Sequence, residues 1–214
     1  MSGMNKEEYE RAYAQAVKES RPYEEMIRSC TRRTDLLEKL TLPMMVAAIA
    51  LFVIMIVKGS RPTVLLCFSL AAEGVMVLDT LSFFISRRLD FALAARLNAF
   101  KGRKLKAPRL DPPAEESENS VLFPIAALIL QLWYIPAAVL SVMMLKNGIS
   151  DPSSEEIRKS GSDLMAVCSS LVGFVPLTVP AFVCPLIFGL RAAMSLGERL
   201  MNRITDKEES SSEK

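Results

Sequence analysis

Four long stretches of this sequence, 42–57, 63–85, 121–145 and 164–190, contain no lysine or arginine. The last three are 23, 25 and 27 residues long. At ~1.5 Å of helical rise per residue, each is long enough to cross a ~30 Å hydrocarbon core. The first has 16 residues, slightly below the usual span of roughly 17–25, and must recruit its flanks. A buried helix of ~10–14 residues in a soluble domain accounts for one such block but not for four. The expected fold class is therefore all-α, a four-span transmembrane helical bundle. Its units are one hairpin over 42–85 and a second over 121–190, with charged segments at 1–41, 86–120 and 191–214.

The basic residues assign an orientation. Twenty-one lysines and arginines fall in 1–41, 86–120 and 191–214, against five in the loops 58–62 and 146–163. The positive-inside rule then puts both termini and the 86–120 segment in the cytoplasm. Either a bacterial inner membrane or a eukaryotic secretory-pathway membrane satisfies this pattern. No cleavable signal precedes the first block, because the first 40 residues are charged throughout. Span one is expected to serve as an uncleaved insertion signal. The layout of four spans with both ends inside is similar to that of tetraspanins and claudins. The likeness ends there, since neither outer loop carries a cysteine.

The flanking segments are amphipathic. Within 1–41, Tyr9, Tyr13, Ala16 and Val17 form one apolar stripe, and Tyr23, Met26, Ile27, Cys30, Leu37 and Leu40 form another. A helix break is expected between them at Pro22. After span two, Leu89, Leu93, Leu97 and Phe100 share a face, flanked by Arg87, Arg88, Arg96, Lys101, Arg103, Lys104 and Lys106. A basic amphipathic helix of this kind is expected to lie along the membrane surface. Its leucines would face lipid or the N-terminal helices, and its charges would face anionic headgroups rather than a nucleic acid. Gly102 should end it. The stretches 111–120 and 206–214 are too poor in hydrophobic residues to pack and read as a linker and a disordered tail. A faint internal likeness aligns 86–98 with 189–201, with Arg88 over Arg191 and Arg96 over Arg199.

Chemistry in the spans centres on two acids. Glu73 lies near the middle of 63–85, and Asp79 is six residues further on, ~9 Å along the helix and ~120° around it. Two intramembrane carboxylates cost roughly 5–7 kcal/mol, and the span's twelve Val, Leu, Ile and Phe residues return roughly 4–7. Span two is therefore marginal alone and should insert as a hairpin with span one, its acids facing protein or water. No basic residue lies within a span, so an intramembrane salt bridge inside one chain is not expected. Asp79 has Arg87 or Arg88 as its nearest sequence neighbours of opposite charge. Candidate hydrogen-bond donors are Ser69, Thr80, Ser82, Gln131, Tyr134, Ser169 and Thr178. The candidate ion or proton site is thus Glu73, Asp79, Gln131 and Tyr134.

Span four carries Pro176, Pro180 and Pro185, each of which removes a ladder hydrogen bond and leaves a carbonyl unpaired. Kinking or local unwinding is expected there. Trp133 and Tyr134 sit in mid-span, away from the interface such residues favour, which points to contact with protein or a cavity. The pairs Ala137/Ser141 and Ser169/Gly173, and the small residues around Glu73, mark close helix approaches.

The function classes narrow by exclusion. There is no histidine, so neither a Ser-His-Asp nor a Cys-His arrangement is available. No phosphate-binding loop or metalloprotease motif occurs. The four cysteines have no CxxC or zinc spacing. The expectation is a non-enzymatic membrane protein with no cofactor and no metal, acting as an accessory or organising subunit of a homo-oligomer or of a complex with other membrane subunits. The alternative is a small oligomeric proton- or cation-coupled transporter or channel using Glu73 and Asp79.

Overall fold

A computed structural model describes residues 6–103, 105–108, 110, 122–150 and 154–212, with side chains described for all of these except 123, 154, 203 and 206–212. The described residues are helical apart from short connections. The helices are α1 (Lys6–Lys58), α2 (Pro62–Lys101), α3 (Leu122–Lys146), α4 (Ser154–Lys159), α5 (Asp163–Val172) and α6 (Val175–Ser212). Four helices are long and apolar enough to cross a membrane: α1, α2, α3 and the Val175–Asn202 part of α6. This is an all-α bundle with four helices of membrane-spanning length and composition among the described residues.

Helix α1 solves the problem of the short first span by extending far beyond it. It also runs through Pro22 without the expected break. Proline at 22 deprives only the Lys18 carbonyl of its donor. Both residues are exposed, so water can meet that carbonyl and the helix continues. The buried positions Ala16, Ser20, Ile27, Cys30, Thr34, Thr41, Met45, Ala48 and Met55 recur every three, four or seven residues along α1. They form one stripe where the sequence suggested two. Gly59 at φ 80° ends the helix, and Pro62 opens α2 at a position where its missing N–H is not needed.

The chain forms two compact units. The first comprises Met1–Leu36 and Ser82–Ser120. In it, Ile27 and Cys30 of α1 pack with Leu89 and Ala92 of α2, and Ala16 packs with Phe100 and Leu105. The expected surface helix after span two is instead part of α2, which passes residue 85 unbroken and ends at Lys101. Leu89 and Phe100 of its expected apolar face are buried against α1, Leu93 is half-buried and Leu97 stays exposed. Gly102 follows the helix end as expected.

The second unit comprises Leu37–Leu81 and Val121–Lys214. Its core joins all four spans through Met45, Ala48, Phe68, Ala72, Val75, Trp133, Tyr134, Ala181 and Phe188. Phe182 stacks its ring 5.2 Å from Phe52, 5.3 Å from Phe68 and 5.4 Å from Trp133, centroid to centroid. A satellite cluster of Leu140, Met144, Ile157, Met165 and Cys168 joins α3, α4 and α5. Gly148, at φ 70°, caps α3, while the Ile149 N–H bonds the Met144 carbonyl at 2.9 Å. That 6→1 bond is the Schellman closure, and Ile149 also packs on the cluster containing Met144.

Helix α6 runs to Ser212, where the sequence predicts a disordered tail from 206. The Glu and Lys residues there are good helix formers and extend the last turns. The 111–120 linker lies outside the described residues.

Candidate functional site

The site builds from the break in span four. The apolar block 164–190 is not one kinked helix. It is α5 and α6, separated at Gly173–Phe174. Pro176 stands in the first turn of α6, where proline is tolerated. Pro180 and Pro185 lie inside α6, which continues through both. Unwinding is thus confined to the residues ahead of Pro176 and does not spread across the proline region.

A proline inside a helix frees the carbonyl four residues before it, so Pro180 frees that of Pro176 and Pro185 that of Ala181, while the Val172 carbonyl is left open by the end of α5. Those of Val172 and Ala181 are met from within the bundle. The Trp133 indole Nε1 donates to the Val172 carbonyl at 3.0 Å, and the Thr178 hydroxyl approaches the same oxygen at 3.4 Å. The Tyr134 hydroxyl donates to the Ala181 carbonyl at 2.6 Å. Two consecutive aromatics of α3 therefore close the two ends of the broken span. Both are buried and packed edge-to-face, with centroids 5.5 Å apart.

This arrangement leaves little for the acids. Ser69 donates to the Leu65 carbonyl at 2.8 Å, Thr80 to Met76 at 2.9 Å and Thr178 to Phe174 at 2.9 Å. Each of these hydroxyls completes its own helix. Gln131 is half-buried and hydrogen-bonds to neither acid. Among the described residues, Glu73 Oε2 and Asp79 Oδ2 are buried oxygens with no hydrogen-bond partner. Of the four residues predicted as a site, Tyr134 gives its hydroxyl to the Ala181 carbonyl and to neither acid. Asp79 feels the charge of Arg191. Arg191 follows the uncharged block by one residue and lies inside the continuous, membrane-length part of α6.

Beside Glu73, Met44 of α1 lies over Gly74, and a Cβ at that glycine would stand 2.6 Å from the Met44 sulfur. The close approach expected around Glu73 is therefore made by α1. Met45 occupies the corresponding space at Gly189 of α6. Ala137 and Ser141 are both fully buried on α3, as their spacing predicts.

The basic residues assigned to a lipid surface divide into two groups. Arg87, Arg88, Lys101 and Lys106 are exposed. Arg96 is only 4 % exposed and donates to Glu24 Oε1 at 3.0 Å and to the Pro108 carbonyl at 2.6 Å. Arg103 grips Glu19 with both terminal nitrogens, at 2.7 and 2.9 Å. This fork holds the Glu19 carboxyl below its ordinary value and the Arg103 guanidinium above its own. Lys104 lies outside the described residues. The arginine aligned with Arg96 in the faint repeat, Arg199, pairs at 3.3 Å with Glu38, which also accepts from Ser195 at 3.0 Å. Both aligned arginines thus bind a glutamate of α1. Sequence periodicity gave no sign of these pairings, because the glutamates stand 72 and 161 residues away in the chain.

The chain matches no known protein family, no curated protein and no solved structure.

Proposed function

We propose that this chain is a non-enzymatic, multi-pass membrane subunit that works by assembling within the bilayer, with both termini in the cytoplasm. One observation carries this reading: the Val172 carbonyl at the break and the Ala181 carbonyl freed at Pro185 are already occupied, by Trp133 and by Tyr134. A transporter's broken helix offers such carbonyls to its ion. Here they hold span three to span four, so the break works as a joint. What stays unmet, among the described residues, are Glu73 near the middle of span two and Asp79 beyond it, each with a buried oxygen lacking a partner. A polar group in that position is satisfied most economically by a donor from a neighbouring span.

The second reading, proton- or cation-coupled transport through Glu73 and Asp79, draws support from the same orphaned oxygens. Flux in proteoliposomes separates the two, using wild type and Glu73→Gln, which keeps shape and hydrogen bonding but cannot ionise. The assembly reading expects no proton or cation flux above empty vesicles in either. Flux present in wild type and lost in Glu73→Gln would replace it with transport.

A further inference from the structure

The arginines of the first unit fall into two sets. Arg11, Arg21, Arg96 and Arg103 each face a glutamate. Arg28, Arg32, Arg33, Arg87 and Arg88 are all exposed, and none has an ion pair among the described residues. Arg87 contacts only the ring of Phe83, at 5.3 Å. The packing of Ile27 and Cys30 against Leu89 and Ala92 sets the two helices in register. Arg28, Arg32 and Arg33 flank this contact on α1, and Arg87 and Arg88 flank it on α2. Asp35 and Asp90, near them in sequence, are half-exposed and each has an interaction of its own.

The arginines of α2 have apolar companions. Arg87 and Arg88 each stand three or four residues from both Phe84 and Phe91 on α2. Phe84 is 61 % and Phe91 65 % exposed. The apolar block of span two ends at Ile85, so Arg87 and Arg88 lie only ~3–5 Å further along the helix. Aromatic rings alternating with arginines at the end of a span suit the interfacial layer of a bilayer, where rings reach the acyl boundary and guanidiniums reach phosphate.

We propose that Arg28, Arg32, Arg33, Arg87 and Arg88 form a binding surface for anionic phospholipid headgroups, with Phe84 and Phe91 seated in the interfacial layer beside them. Guanidinium forks suit phosphate oxygens in a way that a diffuse positive field does not. An RNA or an acidic protein would also meet the charge, but the exposed rings at the end of a span favour lipid. The proposal adds three arginines of α1 to the surface, and it removes Arg96 and Arg103, whose charge is already used. It needs only that the chain is membrane-embedded, so it stands or falls separately from the assembly reading.

The test uses the full chain reconstituted in phosphatidylcholine vesicles, with spin-labelled phosphatidylserine or phosphatidylcholine as probe. The motionally restricted fraction reports preference for lipid at the protein surface. In low salt the wild type should prefer phosphatidylserine by at least about fivefold, the attraction of a single basic residue at a membrane surface. Replacing all five arginines by glutamine should bring the ratio near one, and replacing them by lysine, which keeps the charge but loses the fork, should leave an intermediate ratio. Circular dichroism establishes that the variants remain helical. In the wild type alone, the preference should collapse between 0.1 and 1 M salt as the screening length falls from ~10 to ~3 Å. No preference in wild type, a preference surviving in the glutamine variant, or one surviving 1 M salt would overturn the proposal. So would abolition by inorganic phosphate at an ionic strength where chloride leaves it intact, which would mark a free-phosphate site instead.

Discussion

The Tyr134 hydroxyl bonds at 2.6 Å to the Ala181 carbonyl, the group that Pro185 leaves without its helical donor. The tyrosine thus substitutes for a missing backbone N–H. Because both partners are buried, losing the donor leaves an unsatisfied carbonyl at a cost of about 1–3 kcal/mol. Tyr134→Phe should destabilise the bundle by that amount in detergent unfolding. In a Pro185→Ala background, the restored alanine N–H takes over the carbonyl, and the same substitution should cost well under half as much. Equal costs in the two backgrounds would show that the bond and the proline are not coupled.

The glycines at helix contacts give a second test. Met45 fills the space where a Cβ of Gly189 would stand, whereas nothing lies near that of Gly197. Both glycines are in α6. Gly189→Ala should therefore destabilise by about 1–3 kcal/mol through overpacking. Gly197→Ala should be neutral or stabilising by up to about 1 kcal/mol through helix propensity. Unfolding midpoints of the two variants, compared side by side, decide it.

The spans were legible because the bilayer imposes length and composition on them, and runs free of lysine and arginine survive any ambiguity of local propensity. Trp133 and Tyr134 were legible as residues contacting protein or a cavity, since both stand in mid-span. Their partners were not, because a proline shows which carbonyl it frees but not who answers it. Pro22 misled for a related reason: at an exposed turn, water replaces the lost bond. The ion pairs of Arg96, Arg103 and Arg199 were hidden by the same charge pattern that suggested lipid contact. A buried arginine and a surface arginine look alike until the facing glutamate is known.

Acid should loosen the first unit locally. The Glu19 carboxyl is held below its ordinary value of 4.5 by its bond to Arg103. A lowered folded-state value means that the stabilisation is complete above pH ~4.5 and is lost as pH falls through the folded value. Hydrogen exchange in the turn at Phe100–Arg103 should be insensitive to this pair between pH 6 and 8, once corrected for intrinsic rates, and should quicken beyond the intrinsic change below pH ~4. Arg103→Gln should remove the acid-dependent step while raising exchange at neutral pH. A step that persists in Arg103→Gln would assign it to another carboxylate.

Assembly itself is tested most directly by extracting the chain from its own membrane in polymer discs and measuring single-particle mass. The expected result is a homo-oligomer or a defined hetero-complex, with a population that falls when Glu73 is replaced by leucine, which removes the polar group altogether. A single chain per disc, unchanged by Glu73→Leu and with no neighbour captured by crosslinking before extraction, would contradict the assembly reading.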